Sequence, residues 1–240
     1  PHATVRDWDL RYYFDPRSDN DSSACKMPIP DTVLVNGPVA KSALTKSGYP
    51  QDKLVEVEAL RYLHLNKKIE NKIKSSSFDT ERNQILVLGD YLMENTVLQM
   101  KILQRATSFL DIPPKYLVKP HPNYPVASED YPDLDMTVTN EPIHTLFDYC
   151  SIAYTNNVTS AAVDAYCAGK IVLSVFDPKK LNLSPLRGFD GIYFVSTAEE
   201  LAVFLNKRDI LKPVSGQGLD YFYLDPNLPK WGKLLIEESL

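Results

Sequence analysis

A histidine held between two prolines stands just past a short apolar run: Lys119-Pro120-His121-Pro122, after Tyr116-Leu117-Val118. The prolines restrict the backbone on both sides of His121, so the direction of its imidazole is fixed at little entropic cost. With Lys119 beside it, His121 can donate a hydrogen bond to a phosphate oxygen. The same corner also fits a turn whose prolines merely stop a strand. A second polar cluster runs Thr155-Asn156-Asn157-Val158-Thr159-Ser160 and opens a helical stretch. Unpaired N–H groups and the positive dipole end of a helix, with the hydroxyls of Thr159 and Ser160 and the amide of Asn157, suit a phosphate or pyrophosphate. They equally suit a plain helix cap. Asp164, deeper in that helix, can point at a ribose hydroxyl or stand in solvent. A third stretch, Gly89-Asp90-Tyr91-Leu92-Met93-Glu94-Asn95, follows an apolar run. Gly89 would let a ligand or acceptor approach the backbone. Glu94 can bind a sugar hydroxyl or sit in the first turn of a helix, where acids are favourable.

These residues need elements to hold them. The β-branched run at 32–37 predicts a strand, Pro38 a helix start and Gly48 a helix stop. Alternation over 53–60 predicts a second strand. Residues 15–31 read as a loop, and the charged, Ser-rich stretch 66–83 as a linker or exposed helix end. Strand and helix then alternate. Strands are predicted at 84–90, 115–119, 135–140, 151–156, 170–177 and 191–196. Helices are predicted at 96–110, with an apolar stripe of Leu98, Ile102, Ala106 and Phe109, and over 143–149. Two more follow, at 159–169 with Gly169 as its stop and at 197–206 with a Thr197/Glu200 capping box. The Tyr-rich tail reads as a docking segment and a final helix. Such alternation predicts an α/β fold with a Rossmann-like, doubly wound parallel sheet. Ligands of such sheets bind beyond the carboxyl ends of the strands, where all three polar stretches fall.

The whole chain sets bounds. It has 240 residues, with 44% hydrophobic and 24% charged, ordinary values for a globular protein. A net charge of −5 gives no electrostatic case for nucleic acid or an anionic membrane surface. No apolar run is long enough to span a membrane, and no signal peptide is visible. The first residues, PHATVRDWDLRYYF, read as mid-protein sequence, so further chain upstream is expected. Cys25, Cys150 and Cys167 form no CxxC pair and read as reduced cytoplasmic thiols. Two DxD pairs, Asp7/Asp9 and Asp133/Asp135, lack the context of a metal-diphosphate site and read as loop carboxylates. His64 and His144 lack partner patterns and read as structural. Arg187, in the loop after the fifth of the alternating strands, can reach a phosphate or simply stand in solvent.

Taken together, the order of strand–Gly89, strand–KPHP and TN…TSAAVDAYCAGKIVLSV resembles the C-terminal, nucleotide-binding half of a GT-B glycosyltransferase. The corner at His121 resembles the HP motif of bacterial sialyltransferases, polysialyltransferases and CDP-glycerol-type transferases, whose histidine contacts the donor phosphate or cytidine nucleotide. The run from Thr159 resembles the later Ser-containing motif that holds donor phosphate. Non-hydrolysing UDP-sugar 2-epimerases, of the same overall fold, carry a similar pattern, with a ribose-binding acid at the position of Asp164. Residues 33–62 resemble the last strand–helix–strand of a GT-B N-terminal domain, and the opening PHATVRDWD resembles a cleft-facing segment of surface-carbohydrate transferases. The second Ser of the sialyltransferase motif and its Asp/Glu-rich motif with Gly are not found.

The resemblance implies two parts: residues 1–75 as the end of an N-terminal domain with its linker, and residues 76–240 as a Rossmann-like nucleotide-sugar-binding domain. It implies a metal-independent transferase that uses a nucleotide-activated sugar to build a bacterial cell-surface polysaccharide such as lipopolysaccharide. No cofactor is expected, only the nucleotide-sugar donor as substrate and a carbohydrate or lipid-linked acceptor. His121 would be the catalytic residue. Lys119, His121, Asn157, Thr159, Ser160, Asp164 and Gly89 would bind nucleotide and phosphate, and Glu94 the donor sugar. The base would come from missing N-terminal sequence, or from His2, Asp7 or Asp9. The expected location is cytoplasmic, with peripheral inner-membrane association through regions outside this chain. The alternatives are a nucleotide-sugar 2-epimerase, for which no convincing set of carboxylates is found, and a non-catalytic nucleotide-binding module.

Overall fold

The computed structural model describes residues 4–6, 9, 10, 13–15, 17, 29–66, 84–208, 211 and 221–237. Two parallel sheets organise them. The smaller pairs β1 (Val33–Val35) with β2 (Leu54–Glu56), joined by α1 (Pro38–Lys46). Pro38 occupies the first turn of α1, and Gly48, just past its end, takes φ +83°, a conformation that side chains resist. Val5, Val35, Ala40, Leu44 and Leu54 form the apolar core of this unit.

The larger sheet has six strands: β3 (Gln84–Leu88), β4 (Lys115–Lys119), β5 (Met136–Val138), β6 (Ile152–Asn156), β7 (Ile171–Val175) and β8 (Ile192–Val195). Their order is β5-β4-β3-β6-β7-β8, and every neighbouring pair is parallel. Central strands read as unbroken Ile/Leu/Val runs because a parallel sheet is covered on both faces. The edge strand β5 leaves Thr137 and Val138 exposed. Counted from β3, the order is 3-2-1-4-5-6, and the chain reverses direction across the sheet between β3 and β6.

One face packs on α2 (Met93–Thr107) and α5 (Ala198–Asn206), through Met100, Leu103, Ala106, Leu201, Ala202 and Leu205. The other packs on α3 (Ile143–Leu146) and α4 (Ala161–Cys167), together with Tyr62, Tyr221 and Phe222 from outside the alternating run. Helix α5 carries the predicted capping box, with Glu200 N–H donating to Thr197 Oγ1 at 3.2 Å. Gly169, after α4, takes φ +72°.

Helix α2 departs from the expected stripe. Leu98 and Phe109 are 37% and 46% exposed, while Thr96, Gln99, Met100, Leu103, Ala106 and Thr107 are buried. The helix is rotated so that polar Thr96 and Gln99 face inward, where each finds a partner. The predicted strands at 53–60, 135–140 and 191–196 shrink to three or four paired residues.

The tail returns to the first unit. Tyr62 stacks on Phe222 with ring centroids 4.0 Å apart. Tyr223 N–H donates to Asn36 O at 3.0 Å, and Ala59 N–H donates to Tyr223 O at 2.8 Å. A Cβ on Gly37 would lie 2.1 Å from Tyr221 O, so no side chain fits where the tail crosses α1. Helix α6 (Pro229–Glu237) then starts on Glu58, whose carboxylate accepts from Lys230 N–H at 2.9 Å and Trp231 N–H at 3.1 Å. Among the described residues, no helix is long and apolar enough to cross a membrane.

Candidate functional site

Three of the predicted stretches end on one edge of the sheet. β3, β4 and β6 run parallel and side by side, so Gly89, the KPHP corner and Asn156-Asn157 all leave the sheet at its carboxyl edge. The edge includes the reversal between β3 and β6, whose following helices go to opposite faces of the sheet; ligands of such sheets bind at this place.

Gly89 and His121 meet directly. Gly89 N–H donates to Lys119 O at 3.0 Å. A Cβ on Gly89 would stand 3.0 Å from His121 N and 3.2 Å from Pro120 Cα. The missing side chain therefore admits the KPHP backbone. The sequence suggested an approaching ligand at Gly89; the structure puts the neighbouring corner there. His121 is half-buried and closes a tight turn, with Tyr124 N–H donating to His121 O at 2.9 Å. Its Nδ1 accepts from Asn123 N–H at 3.2 Å. A ring nitrogen that accepts carries no proton, so in neutral His121 the proton sits on Nε2, which is then a donor. The Tyr91 ring stands edge-on to the imidazole, with centroids 6.3 Å apart. Lys119 is half-buried at the end of β4.

The end of β6 is tied to α2. Asn156 Nδ2 donates to Asn95 O at 2.9 Å, and Asn156 Oδ1 accepts from Asn157 N–H at 3.1 Å. Asn157 is buried. Thr159 Oγ1 accepts from Ala161 N–H at 3.2 Å, in the turn that leads into α4. Ser160 is half-buried, and its side chain makes no capping bond.

Asp164 is not solvated. It is 7% exposed and lies close enough to Tyr62 and Cys167 to raise the pKa of both. Burial pushes its carboxyl up to about 7, against a smaller opposing pull from Arg61. Burial, then the nearby Asp164, pushes the Tyr62 phenol up to about 12. Asp164 Oδ1 and the Tyr62 hydroxyl are both buried, with no hydrogen-bond partner among the described residues. Glu94 sits in the first turn of α2, exposed, with an oxygen 3.7 Å from Lys180 Nζ.

Sequence reasoning missed three groups here. Asp90 is fully buried; Oδ1 accepts from Leu92 N–H at 2.9 Å while Oδ2 has no partner among the described residues. Gln99 Nε2 donates to Leu88 O and Tyr154 O, both at 3.1 Å, which ties β3 to β6 at the reversal. A glutamine interrupting the apolar stripe of α2 was the available signal. Lys180 lies past β7 in a stretch with no periodicity to mark it.

The remaining residues that the sequence singled out are placed as follows. His64 and His144 come together with ring centroids 5.6 Å apart. Asp133 accepts from Gln104 Nε2 at 2.8 Å. Arg187 is exposed. Cys150 and Cys167 are buried thiols, and burial pushes the Cys167 thiol up. His2, Asp7 and Cys25 lie outside the described residues.

No protein-family model matches the chain, and no curated protein matches it. Solved structures do. The UDP-GlcNAc 2-epimerase of Methanocaldococcus jannaschii, solved with UDP-GlcNAc and UDP, matches with a TM-score of 0.53 and 13% identity, over 88% of this chain and 61% of that one. The fold is Rossmann-like, of the GT-B kind. A glycosyltransferase from Rickettsia africae matches with a TM-score of 0.48 and 15% identity, over 87% of this chain and 63% of that one. The wall teichoic acid polymerase TagF, as its H444N variant, matches with a TM-score of 0.49 and 12% identity, over 87% and 57%. At these identities the likeness is one of fold alone. The chain spans about three fifths of the length of these structures.

Proposed function

We propose that this chain is the donor-binding half of a glycosyltransferase that uses a nucleotide-activated sugar in cell-surface polysaccharide synthesis. The observation that carries this is the meeting of Gly89 and His121 at the carboxyl edge, beside the β3/β6 reversal of a GT-B-type sheet. A polar, preorganised corner at that place suits the phosphate of a nucleotide.

In this reading His121 donates from Nε2 to a donor phosphate oxygen, with Lys119 supplying positive charge beside it. As the glycosidic bond to phosphate breaks, negative charge grows on the departing nucleotide. Donors already aimed at that charge lower the barrier, because they need no reorganisation. Ser160 and Asn157 line the next strand end and complete the phosphate contacts. Asp164 takes the ribose, a role that its folded pKa of about 7 leaves open to either protonation state near neutrality. Glu94 faces the sugar. A carboxylate or histidine from the N-terminal side deprotonates the acceptor hydroxyl. No step in this scheme requires a metal ion.

A calorimetric panel of CMP, CDP, UMP, UDP, GDP and their common sugars tests the assignment. Selective binding of one nucleotide, lost on His121→Ala, is the expected result and names the donor class. Equal binding by parent and variant would show that the corner is only a turn.

A further inference from the structure

The donor groups described above, Lys119 and His121, stand at the end of β4, on one side of the β3/β6 reversal. Lys180 belongs to the other. It lies in the loop that leaves β7, where Lys180 N–H donates to Asp177 O and Lys179 N–H donates to Asp177 Oδ1, at 2.9 and 3.0 Å. Its ammonium is 3.7 Å from a carboxylate oxygen of Glu94, on the helix that leaves β3. β3 and β7 are the two neighbours of β6. The ion pair therefore reaches from one flank of β6 to the other, on the edge where Asn156 and Asn157 end that strand. Both side chains are exposed, 57% for Lys180 and 71% for Glu94. A long, solvated pair of this kind contributes little to stability, so either partner is free to exchange. A phosphate offers the ammonium more charge and more acceptor oxygens than one distant carboxylate.

We propose that Lys180 is a phosphate ligand of the site, held ready by Glu94, and that donor binding exchanges one partner for the other. The proposal rests on the nucleotide-sugar reading given above. The exchange releases the Glu94 carboxylate at the moment a donor sugar arrives, so its acceptor oxygens are free for a sugar hydroxyl. The nucleotide is thereby gripped from both flanks of β6: by Lys119 and His121 at β4, and by Lys180 at β7.

Calorimetric titration with UDP and with CMP, at low and high salt, decides the matter on four proteins: the parent, Lys180→Gln, Glu94→Gln and the double variant. Both positions are exposed, and unchanged thermal midpoints confirm folding. Lys180→Gln is expected to raise Kd about tenfold and to flatten its salt dependence. Glu94→Gln is expected to lower Kd for these sugar-free nucleotides a few-fold, because a competitor for the ammonium is gone. The double variant should bind as Lys180→Gln does. Unchanged binding in Lys180→Gln, or weaker UDP binding in Glu94→Gln, overturns the proposal. A parent that binds neither nucleotide removes the site reading and this inference together. A parent whose binding is lost on His121→Ala but kept on Lys180→Gln overturns the inference alone.

Discussion

At the scale of single residues, the chemistry turns on how side chains are held. His121 is fixed by its own turn, through Asn123 N–H on Nδ1, rather than by the core. Its replacement by alanine should leave the thermal midpoint within about 2 °C of the parent, since half-exposed turn residues contribute little. The same change should weaken nucleotide binding about tenfold or more, the loss of one hydrogen bond to a charged group. A large drop in midpoint would show a structural role instead. Asp164 gives a pH signature. Its pKa is raised from 3.8 to about 7 by burial, so the folded state holds the proton more tightly than the unfolded chain. Its contribution to stability is complete below the unfolded value and is lost as pH rises towards the folded one. Asp164→Asn carries no such proton. Urea unfolding should show the variant gaining on the parent from about pH 4 to about pH 7.5, by at most on the order of 4 kcal/mol. A constant difference across that range would mean that Asp164 is hydrated in the folded state.

Among elements, close approach is the governing feature. The KPHP corner lies on the backbone of Gly89, and a methyl group there would meet His121 N at 3.0 Å. Gly89→Ala should therefore cost about 1–3 kcal/mol in chemical denaturation and should weaken nucleotide binding by displacing the corner. Gly232, in α6, provides the contrast, because an added Cβ there meets nothing within 4 Å. Gly232→Ala should stabilise by roughly 0.5–1 kcal/mol through helix propensity alone. If the two alanines behaved alike, packing at the corner would not be the cause. Much of the element order was legible: the Ile/Leu/Val runs, the Thr197/Glu200 box and the glycine stops at 48 and 169 mark local structure by local chemistry. The face of α2 was not. Gln99 and Thr96 point inward because strand-end backbone groups of β3 and β6 need partners there, and no helix sequence records which sheet it will meet.

For the whole molecule, the tail is held to the first unit by a clamp built from distant parts of the chain. Glu58 accepts from Lys230 and Trp231 N–H, and Trp231 Nε1 donates to Glu58 O at 2.9 Å. Lys230 also pairs with Glu56, which Lys41 holds from the other side. These two partners, Lys41 first, pull the Glu56 carboxyl down to about 2. Glu58→Ala should uncap α6 and cost about 1–2 kcal/mol. Hydrogen exchange should locate the loss, with faster exchange at Lys230 and Trp231 and unchanged protection in β3 and β6. Faster exchange throughout would mean that the clamp supports the large sheet as well.

The sequence by itself determined the alternation of strands and helices, the fold class, and the three polar stretches that follow strands. Each of these depends on neighbours a few residues away, which the chain writes locally. The tertiary structure decided the rest. It set the strand order, and with it the reversal between β3 and β6. It brought Gly89 against His121 and Lys180 against Glu94, pairs separated by 32 and 86 positions along the chain. It also buried Asp90 and Asp164, whose local sequence resembles that of any solvated carboxylate. Burial and long-range contact belong to the packed molecule, because they depend on which faces meet once the sheet has closed.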